Sequence, residues 1–497
     1  MISASITLRD PGDYFDLSKD AADNAIKADY NVQPLMYLIS ALKASHFFNG
    51  SNTSSINHRT FSTSDNDTSV IVVGNGASLN LSFVSVLKSG YTSDLLQASF
   101  FGVNAAINVQ NGSRCFFSHL NITTHNGAAN IYSYGNGSYV YIENSFLYSS
   151  GPAAHGLYAG GYGTAVGKNI AHYSGGNRCS SFAGDGPAGY VTIYDSISRT
   201  SGIGSAIFYA LGTITATNVI GYAENSPALF SDGQQTSTIV NCDLTAGLLG
   251  GTVMFSSMQR RSGAILNLID SKLTVLGATM PALWFGNVIA SVYLYHTEIN
   301  TKSNILVTAN YSQVTQEFNY YAGYPDNPNL QPAIVTITVV ECSLHGNLVA
   351  YNGSSISWVI SQYSTWHGHA FSGYGDSYIS VSLDSTSTWS LTGNTILTNL
   401  SLANNNLAGI SSNGYNITYD STSPANSWLN QTTFILNGGG RLMPYTRQQP
   451  MTTDPPLPST SSVPSFSHTQ NRSFHLLSIK ILLSFFFYNY MLIQESI

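Results

Sequence analysis

The chain has 497 residues, of which 9% are charged, 43% hydrophobic and 12% aromatic, and its formal net charge is −7. Few charges together with many β-branched and aromatic residues exclude a helical bundle, a coiled coil and a disordered chain, and they favour an all-β protein. Only 18 Lys and Arg are scattered along the sequence. No basic patch can therefore neutralise a run of phosphates, which excludes nucleic acid as a partner.

Residues 1–60 are predicted to form an N-terminal cap with short helices. Asp20–Lys27 and Gln33–Phe47 have apolar residues at helical spacing, and Pro34 lies near the start of the second segment. A cap is expected because the open end of a repeat domain exposes its core and its strand edges. A helix that binds a partner is the alternative. Met1–Ala22 contains charged residues and lacks the apolar segment of a signal peptide.

An internal repeat follows this region. Each copy alternates apolar and polar residues, places Asn, Asp, His or Glu before a small residue, and returns to an apolar residue. The copies are Val140–Leu147, Val191–Ile197, Ile214–Ile220, Leu266–Leu273, Val292–Ile299 and Ile337–Leu344. Alternation of period two predicts strands, and the polar break predicts a bend between two short strands.

A second column consists of an apolar residue followed by a ring or a methionine. Its members are Tyr132, Tyr158, Phe182, Phe208, Phe230, Met254 and Phe285. Glycine-rich turns follow several of them, and a period of about 22–26 residues leaves room for three short strands. This pattern predicts a parallel β-solenoid over residues 61–445, since one turn cannot bury its apolar face alone. We expect the rings to point inward as a stacked ladder; the alternative is an outward platform for sugar rings.

The repeat also resembles known families. From Val70 to Leu400 it is similar to the right-handed parallel β-helix, or pectin-lyase-like, superfamily. His155–Thr164, Thr213–Asn218 and Ser226–Gly233 resemble the repeats of adhesin-like β-helix surface proteins. The resemblance implies an all-β, right-handed parallel β-helix. For pectin-degrading members it also implies carboxylates or a basic residue on one outward face.

The candidate catalytic residues are His155, Arg178, Asp185 and Asp232, which lie on neighbouring turns of the predicted solenoid. Asp185 and Asp232 are two turns apart, roughly 10 Å if stacked, at the edge of the range for an inverting carboxylate pair. The alternative is that both are turn carboxylates that accept hydrogen bonds from their own backbone. The paired-aspartate motif of polygalacturonases is absent, and His367-Gly-His369 is the nearest approach to their Gly-His-Gly segment.

The candidate ligand-binding residues are three tyrosines in predicted loops, Tyr134, Tyr162 and Tyr324. No metal site and no cofactor are predicted, because the four cysteines lack metal-ligand spacing. Cys242 and Cys342 share a repeat column but lie about three turns apart, too far for a disulfide. The cysteines Cys115, Cys179, Cys242 and Cys342 are therefore interpreted as small buried apolar residues.

The remaining segments bear on location. Residues 314–332 are predicted to be a loop insertion, 446–472 a Pro/Ser/Thr-rich linker, and 473–497 a hydrophobic C-terminal tail long enough to span a bilayer. A read-through 3′ end and a cleaved lipid-anchor signal are the other interpretations of the tail. Thirteen Asn-x-Ser/Thr sequons and the low charge favour a secreted or cell-surface glycoprotein.

The sequence features support two alternative functions. The first is a non-enzymatic, adhesin-like module that binds polysaccharide or a cell-surface glycan, and we expect it to be a monomer. The alternative is a polysaccharide lyase or glycoside hydrolase that acts on cell-wall polysaccharide. The alternative depends on the superfamily resemblance alone.

Overall fold

The computed structural model describes residues 41–93, 95–151, 153–176, 179–247, 250–256, 259–310, 330–351, 353–373 and 375–446. These residues form an all-β parallel β-solenoid of about 15 turns, which confirms the predicted fold class. The chain divides into two compact units at residues 230 and 231. The strand Leu229–Asp232 contains this division.

In the first unit, each solenoid turn contributes one strand to each of three columns. The first column contains Lys43–Asn49, Thr68–Gly74, Ile107–Gln110, Ile131–Tyr134, Leu157–Gly160, Phe182–Gly184 and Phe208–Ala210. The second contains Thr53–Asn57, Ser78–Ser82, Arg114–Ser118, Tyr139–Ser149, Thr164–Ser174, Tyr190–Tyr194 and Thr213–Thr217. The third contains Thr60–Thr63, Ser85–Lys88, Asn121–Thr124, Ile197–Ile203 and Ile220–Asn225. Tyr139–Ser149 and Thr164–Ser174 continue round the corner into the third column, where they pair with Asn121–Thr124 and Ile197–Ile203.

The second unit repeats this arrangement. Its first column contains Thr252–Phe255, Leu283–Gly286, Ile305–Asn310, Asn347–Ala350 and Ala370–Ser372. Its second column contains Thr236–Val240, Arg261–Ile269, Val288–Tyr295, Ile334–Val340, Ser355–Ser361, Tyr378–Leu383 and Asn399–Leu402. Its third column contains Asp243–Ala246, Lys272–Val275, Glu298–Thr301, Ser343–His345, Thr365–His367, Thr388–Ser390 and Ile410–Ser411.

A small sheet follows in the second unit and includes the only antiparallel pair among the described strands. Its strands are Thr395–Leu397, Ile417–Asp420, Arg441–Tyr445 and Phe434–Ile435, and the last two pair antiparallel. Short 3-10 helices lie at Ala403–Asn405, Leu407–Gly409 and Pro424–Leu429. The α-helix described in the first unit, Leu95–Phe101, is hereafter α1.

The polar break in each repeat is the corner between the second and third columns, as the sequence predicts. The residue at the break has a positive φ, a left-handed conformation that Asn and Asp adopt more readily than other non-glycine residues. The corner residues are His58, Phe83, His119, Asn144, Asn169, Asp195, Asn218, Asn241, Asp270, His296 and Glu341. The left-handed residue redirects the chain from the second column to the third at a single position, so no loop is needed at the corner.

The small residue after the break has a structural role of its own. Ser196 Oγ accepts a hydrogen bond from the backbone N–H of Ile170 in the preceding turn, 3.0 Å away, and donates one to the carbonyl of Tyr194. Ser145 and Ser271 make the equivalent pairs of hydrogen bonds. The hydroxyl therefore satisfies backbone groups that the corner removes from the strand ladder.

The start of the solenoid differs from the prediction. Residues 1–40, which include the predicted helix Asp20–Lys27, lie outside the described residues. The predicted helix Gln33–Phe47 is wrong over Lys43–Phe47, which belong to the strand Lys43–Asn49 and pair in parallel with Thr68–Gly74. Side chains of this strand alternate between exposed and half-buried, which is the period of a strand and not of a helix.

The expectation that the rings of the first column all point inward is wrong for Tyr132 and Tyr158. Leu157 points into the solenoid, because a Cβ placed on Gly167 would lie 3.1 Å from both Leu157 Cδ2 and Ile193 Cδ1. Successive side chains of a strand point to opposite faces, so Tyr158 points away from the interior, as does its in-register neighbour Tyr132. Phe182 lies in register with Leu157 and not with Tyr158, so its inward orientation agrees with the prediction.

The four cysteines are all buried and none forms a disulfide. Burial raises the pKa of the Cys115 thiol far above its ordinary value. These observations agree with their interpretation as small apolar residues of the solenoid core.

Candidate functional site

Helix α1 covers the outward rings of the first column and seals a polar cluster beneath it. Tyr132 donates a hydrogen bond from its hydroxyl to the carbonyls of Ser99 and Phe100, each 2.9 Å away. Tyr158 donates one to Oδ2 of Asp185, and its oxygen lies 3.2 Å from Ser99 Oγ. Asp185 Oδ1 accepts from the N–H of Gly186 at 2.6 Å. Both oxygens of this carboxylate are therefore engaged within the protein.

His155 belongs to the same cluster. Its ring centroid lies 4.4 Å from that of Tyr158 and 6.0 Å from that of Tyr209, to which it is nearly parallel. Its Nδ1 accepts a hydrogen bond from the backbone N–H of Ser180 at 3.1 Å. The structure thus brings together two of the predicted catalytic residues, His155 and Asp185, through the ring of Tyr158.

Burial dominates the electrostatics of this cluster. Asp185 is 1% exposed and His155 is 5% exposed. Removal from water raises the pKa of Asp185 to about 6, although the hydrogen bonds from Tyr158, Gly186 and Ser99 act in the opposite direction. Burial likewise raises the pKa of the Tyr158 hydroxyl well above its ordinary value. A carboxyl group with a pKa near 6 has the proton affinity of a general acid, but this one lies beneath a helix and not in an open cleft.

The other two predicted catalytic residues do not complete a described site. Arg178 lies outside the described residues. Asp232 ends the strand Leu229–Asp232, belongs to the second unit and is 4% exposed. The alternative interpretation of Asp185 as a carboxylate that binds its own backbone is correct for the contact with Gly186, but the hydrogen bond from Tyr158 was not foreseen.

A group of aromatic residues of the first unit lies elsewhere, on the outward side of the second column. This surface, called the outer face below, carries Phe116, Tyr139, Tyr141, Tyr190 and Tyr194 on three strands, with Thr and Lys residues between them. Phe116, Tyr190 and Tyr194 are 48%, 42% and 39% exposed, respectively. The residues between them on each strand, such as Val191 and Ile193, are buried in the core.

Strand register fixes the geometry of the outer face. Tyr139 and Tyr190 both pair with Thr164, one on each side, so they are two strands apart, roughly 10 Å. Tyr190 and Tyr194 are four residues apart on one strand, roughly 13 Å. The rings of Phe116 and Tyr139 lie 6.0 Å apart between centroids. The result is a flat array of rings at spacings comparable to the dimensions of a few sugar residues.

Polar groups complete the outer face. The Tyr141 hydroxyl donates a hydrogen bond to Glu143 Oε2 at 2.9 Å. Glu143 pairs in register with Lys168, which in turn pairs with Tyr194. Hydroxyl, carboxylate and ammonium groups therefore border the rings and provide both donors and acceptors.

The predicted ligand-binding tyrosines have mixed positions. Tyr134 is half-buried, and its ring packs edge-on against Phe101 of α1 with centroids 5.5 Å apart. Tyr162 is 39% exposed and sits in a corner with a φ of 69°. Tyr324 lies outside the described residues, as does most of the predicted insertion 314–332. Sequence reasoning missed Tyr190 and Tyr194, although their places in the alternating segment Tyr190–Tyr194 mark them as outward.

The second unit carries a smaller set of rings at equivalent positions. Tyr293 and Tyr295 lie on one strand with their rings nearly parallel and 6.4 Å apart between centroids. Tyr378 is 43% exposed at the start of another second-column strand. Outward tyrosines are thus a feature of the second column in each unit.

Comparison with protein-family models, with curated proteins and with solved structures found no match. The class defined by the described residues is a parallel β-solenoid. Within those residues, no helix is long and apolar enough to cross a membrane. The predicted linker and hydrophobic tail, apart from Thr446, lie outside them.

Proposed function

We propose that this protein is a secreted or cell-surface β-solenoid that binds a carbohydrate polymer without cleaving it. The observation that carries the proposal is the outer face, where Phe116, Tyr190 and Tyr194 lie exposed on a parallel sheet beside the half-buried Tyr139. A long outward face of this kind fits the adhesin-like resemblance of the repeats.

The chemistry of the outer face matches that of a sugar chain. A pyranose ring has apolar C–H faces and a rim of hydroxyls, so it packs its face on an aromatic ring and directs its hydroxyls to polar neighbours. Tyrosine provides both an apolar ring and a polar tip at low cost in conformational entropy. A flat array of such rings accommodates an extended polymer better than a compact ligand, which needs a concave pocket.

Burial of the candidate catalytic residues supports binding over cleavage. A polysaccharide-cleaving enzyme needs its acid and base to touch the scissile bond. Asp185 has both oxygens engaged beneath α1, and the Nδ1 atom of His155 is occupied by the backbone of Ser180. Neither side chain is presented on the outer face.

Surface sequons support the proposed location. The sequon asparagines on exposed positions are Asn49, Asn52, Asn66, Asn111, Asn121, Asn136 and Asn430. A glycosylated asparagine must be accessible, and these positions satisfy that requirement. Asn310, by contrast, is 1% exposed, and we expect it to carry no glycan.

The test separates binding from cleavage in one experiment. The full chain, produced through a secretory host, is incubated with insoluble pectins, glucans and xylans. Retention on the polymer and release of reducing or unsaturated ends are measured together. We expect retention without release. Release of ends would contradict the proposal, and Asp185→Asn would then show whether that carboxyl takes part in cleavage.

A further inference from the structure

Two histidines of the second unit face each other across adjacent strands. His345 ends the strand Ser343–His345, His367 ends Thr365–His367, and the two residues are in register. Their imidazole rings are stacked, with centroids 4.6 Å apart and planes 6° from parallel. His345 is exposed and His367 is half-buried, so solvent reaches the pair.

Nothing else in the described structure uses these two rings. Neither imidazole makes a hydrogen bond to another described residue. The neighbouring hydroxyls bond to each other instead, since Thr365 Oγ1 donates to Ser343 Oγ at 2.8 Å. The intervening Leu344 and Trp366 are buried and hold the two strands against the core. The histidines therefore sit at fixed places with their ring nitrogens available.

The neighbouring histidine has a different environment. In the segment His367-Gly368-His369, the Nδ1 of His369 lies 3.0 Å from Thr392 Oγ1, and its ring stacks on Phe371 with centroids 5.3 Å apart. His369 therefore does not join the pair, although it is only two residues from His367.

We propose that His345 and His367 form a binding site for a divalent transition-metal ion, with each residue contributing one imidazole nitrogen. Imidazole is a preferred ligand of Cu²⁺, Ni²⁺ and Zn²⁺, and metal–nitrogen distances near 2 Å place two bound nitrogens about 3 Å apart. Binding therefore requires the two rings, whose centroids are 4.6 Å apart, to rotate out of the stacked arrangement until one nitrogen of each reaches that separation. No group of three or more His, Cys, Asp or Glu residues suited to a metal occurs in the described part of the chain, so water completes the coordination.

The proposal does not depend on the carbohydrate-binding function, because its residues are in the second unit and the outer face defined above is in the first.

The experiment is a titration of the full chain with Cu²⁺. Calorimetry measures the affinity, and electron paramagnetic resonance detects the nitrogens that bind the ion. The chain has 12 histidines, so the site is identified by difference between variants. His345→Ala and His367→Ala are each expected to weaken one Cu²⁺ equivalent tenfold or more and to remove one nitrogen coupling from its spectrum. His369→Ala, the matched control, is expected to retain both the affinity and the spectrum.

Two results would overturn the proposal. One is that His345→Ala/His367→Ala binds as many Cu²⁺ equivalents as the wild type, with the same affinities. The other is that His369→Ala loses as much as the paired variants. Because His345 is exposed, its replacement should leave the fold intact, and circular dichroism of each variant verifies this.

Discussion

Asn169 donates a hydrogen bond from its side-chain Nδ2 to Oδ1 of Asn144, 2.8 Å away in the preceding turn. Both residues are corner residues in the left-handed conformation, with φ values of 51° and 50°. Asn218 and Asp195 make the same contact at 2.7 Å. Asn and Asp therefore have two roles at these corners. They tolerate the left-handed backbone conformation, and their side chains bond to the corner residue of the adjacent turn.

Replacement of Asn169 separates these two contributions. Asn169→Ala loses the side-chain hydrogen bond and replaces Asn by a residue that tolerates the left-handed conformation less well, so we expect it to lower the free energy of unfolding by about 2 kcal/mol. Asn169→Gly loses the hydrogen bond but relieves the backbone, so its cost is expected to be about 1 kcal/mol smaller. Urea denaturation of both variants measures the difference. Equal losses for Ala and Gly would show that the corner conformation carries no penalty for alanine.

The assignment of Leu157 to the core is tested by its truncation, with the exposed Ile220 of the third column as the control. Leu157 is 0% exposed and points into the solenoid, so Leu157→Ala is expected to lower stability by about 2–5 kcal/mol through lost burial and a cavity. Ile220 is 60% exposed on the third column, and Ile220→Ala is expected to change stability by less than about 0.5 kcal/mol. Equilibrium denaturation provides both values. A mild effect at Leu157 would contradict its assignment to the core.

Asp185 should make stability depend on pH in the direction opposite to most carboxylates. Its pKa in the folded protein is about 6, against an ordinary value of 3.8. The folded state therefore holds this proton more tightly than the unfolded state, so the contribution is present below pH 3.8 and is lost as the pH rises through 6. Its size is about 3 kcal/mol.

Asp185→Asn should remove this dependence. Relative to the wild type, we expect the variant to gain about 2.4 kcal/mol in the free energy of unfolding between pH 4 and pH 7. Denaturation midpoints measured across this range give the gain, and Asp243→Asn, on an exposed strand position, is the control for the loss of a surface carboxylate. A constant difference for Asp185→Asn would show that the Asp185 carboxyl titrates normally in the folded protein.

The solenoid fold and the positions of its corners could be predicted from the sequence. Segments such as Tyr190–Tyr194 alternate strictly because their outward side meets water and their inward side meets the core. The residue pair at several corners, such as Asp195-Ser196, identifies the bend because few residues accept a left-handed φ and because the serine hydroxyl bonds to backbone groups at the corner.

The first column could not be oriented from the sequence, for a physical reason. Strands such as Leu157–Gly160 are buried on both faces. The core covers one face, and α1 covers the other face at Tyr158. Alternation distinguishes the two faces of a strand only where one of them is polar. For the same reason, the sequence pattern predicted Phe182 to lie in one column with Tyr158, whereas the structure pairs Phe182 with Leu157.

The candidate site was only partly predictable. The proximity of His155 to Asp185 follows from the stacking of neighbouring turns, but the contact of Asp185 with Ser99 comes from α1, a helix from a segment without repeat character. The tyrosines of the outer face could have been predicted, because they occupy the outward positions of the repeat. The sequence prediction named loop tyrosines such as Tyr162 instead.

The most direct test of the account is the binding of Tyr190→Ala/Tyr194→Ala to the insoluble polysaccharide on which the wild-type chain is retained. Both side chains are exposed, so we expect unchanged stability and an affinity reduced roughly tenfold or more. Tyr363→Ala, which removes a 78% exposed tyrosine from a corner of the second unit, is expected to bind as the wild type does. Equal affinity of the double variant and the wild type, or no retention of the wild type on any polysaccharide tested, would contradict the assignment of the outer face as a carbohydrate-binding surface.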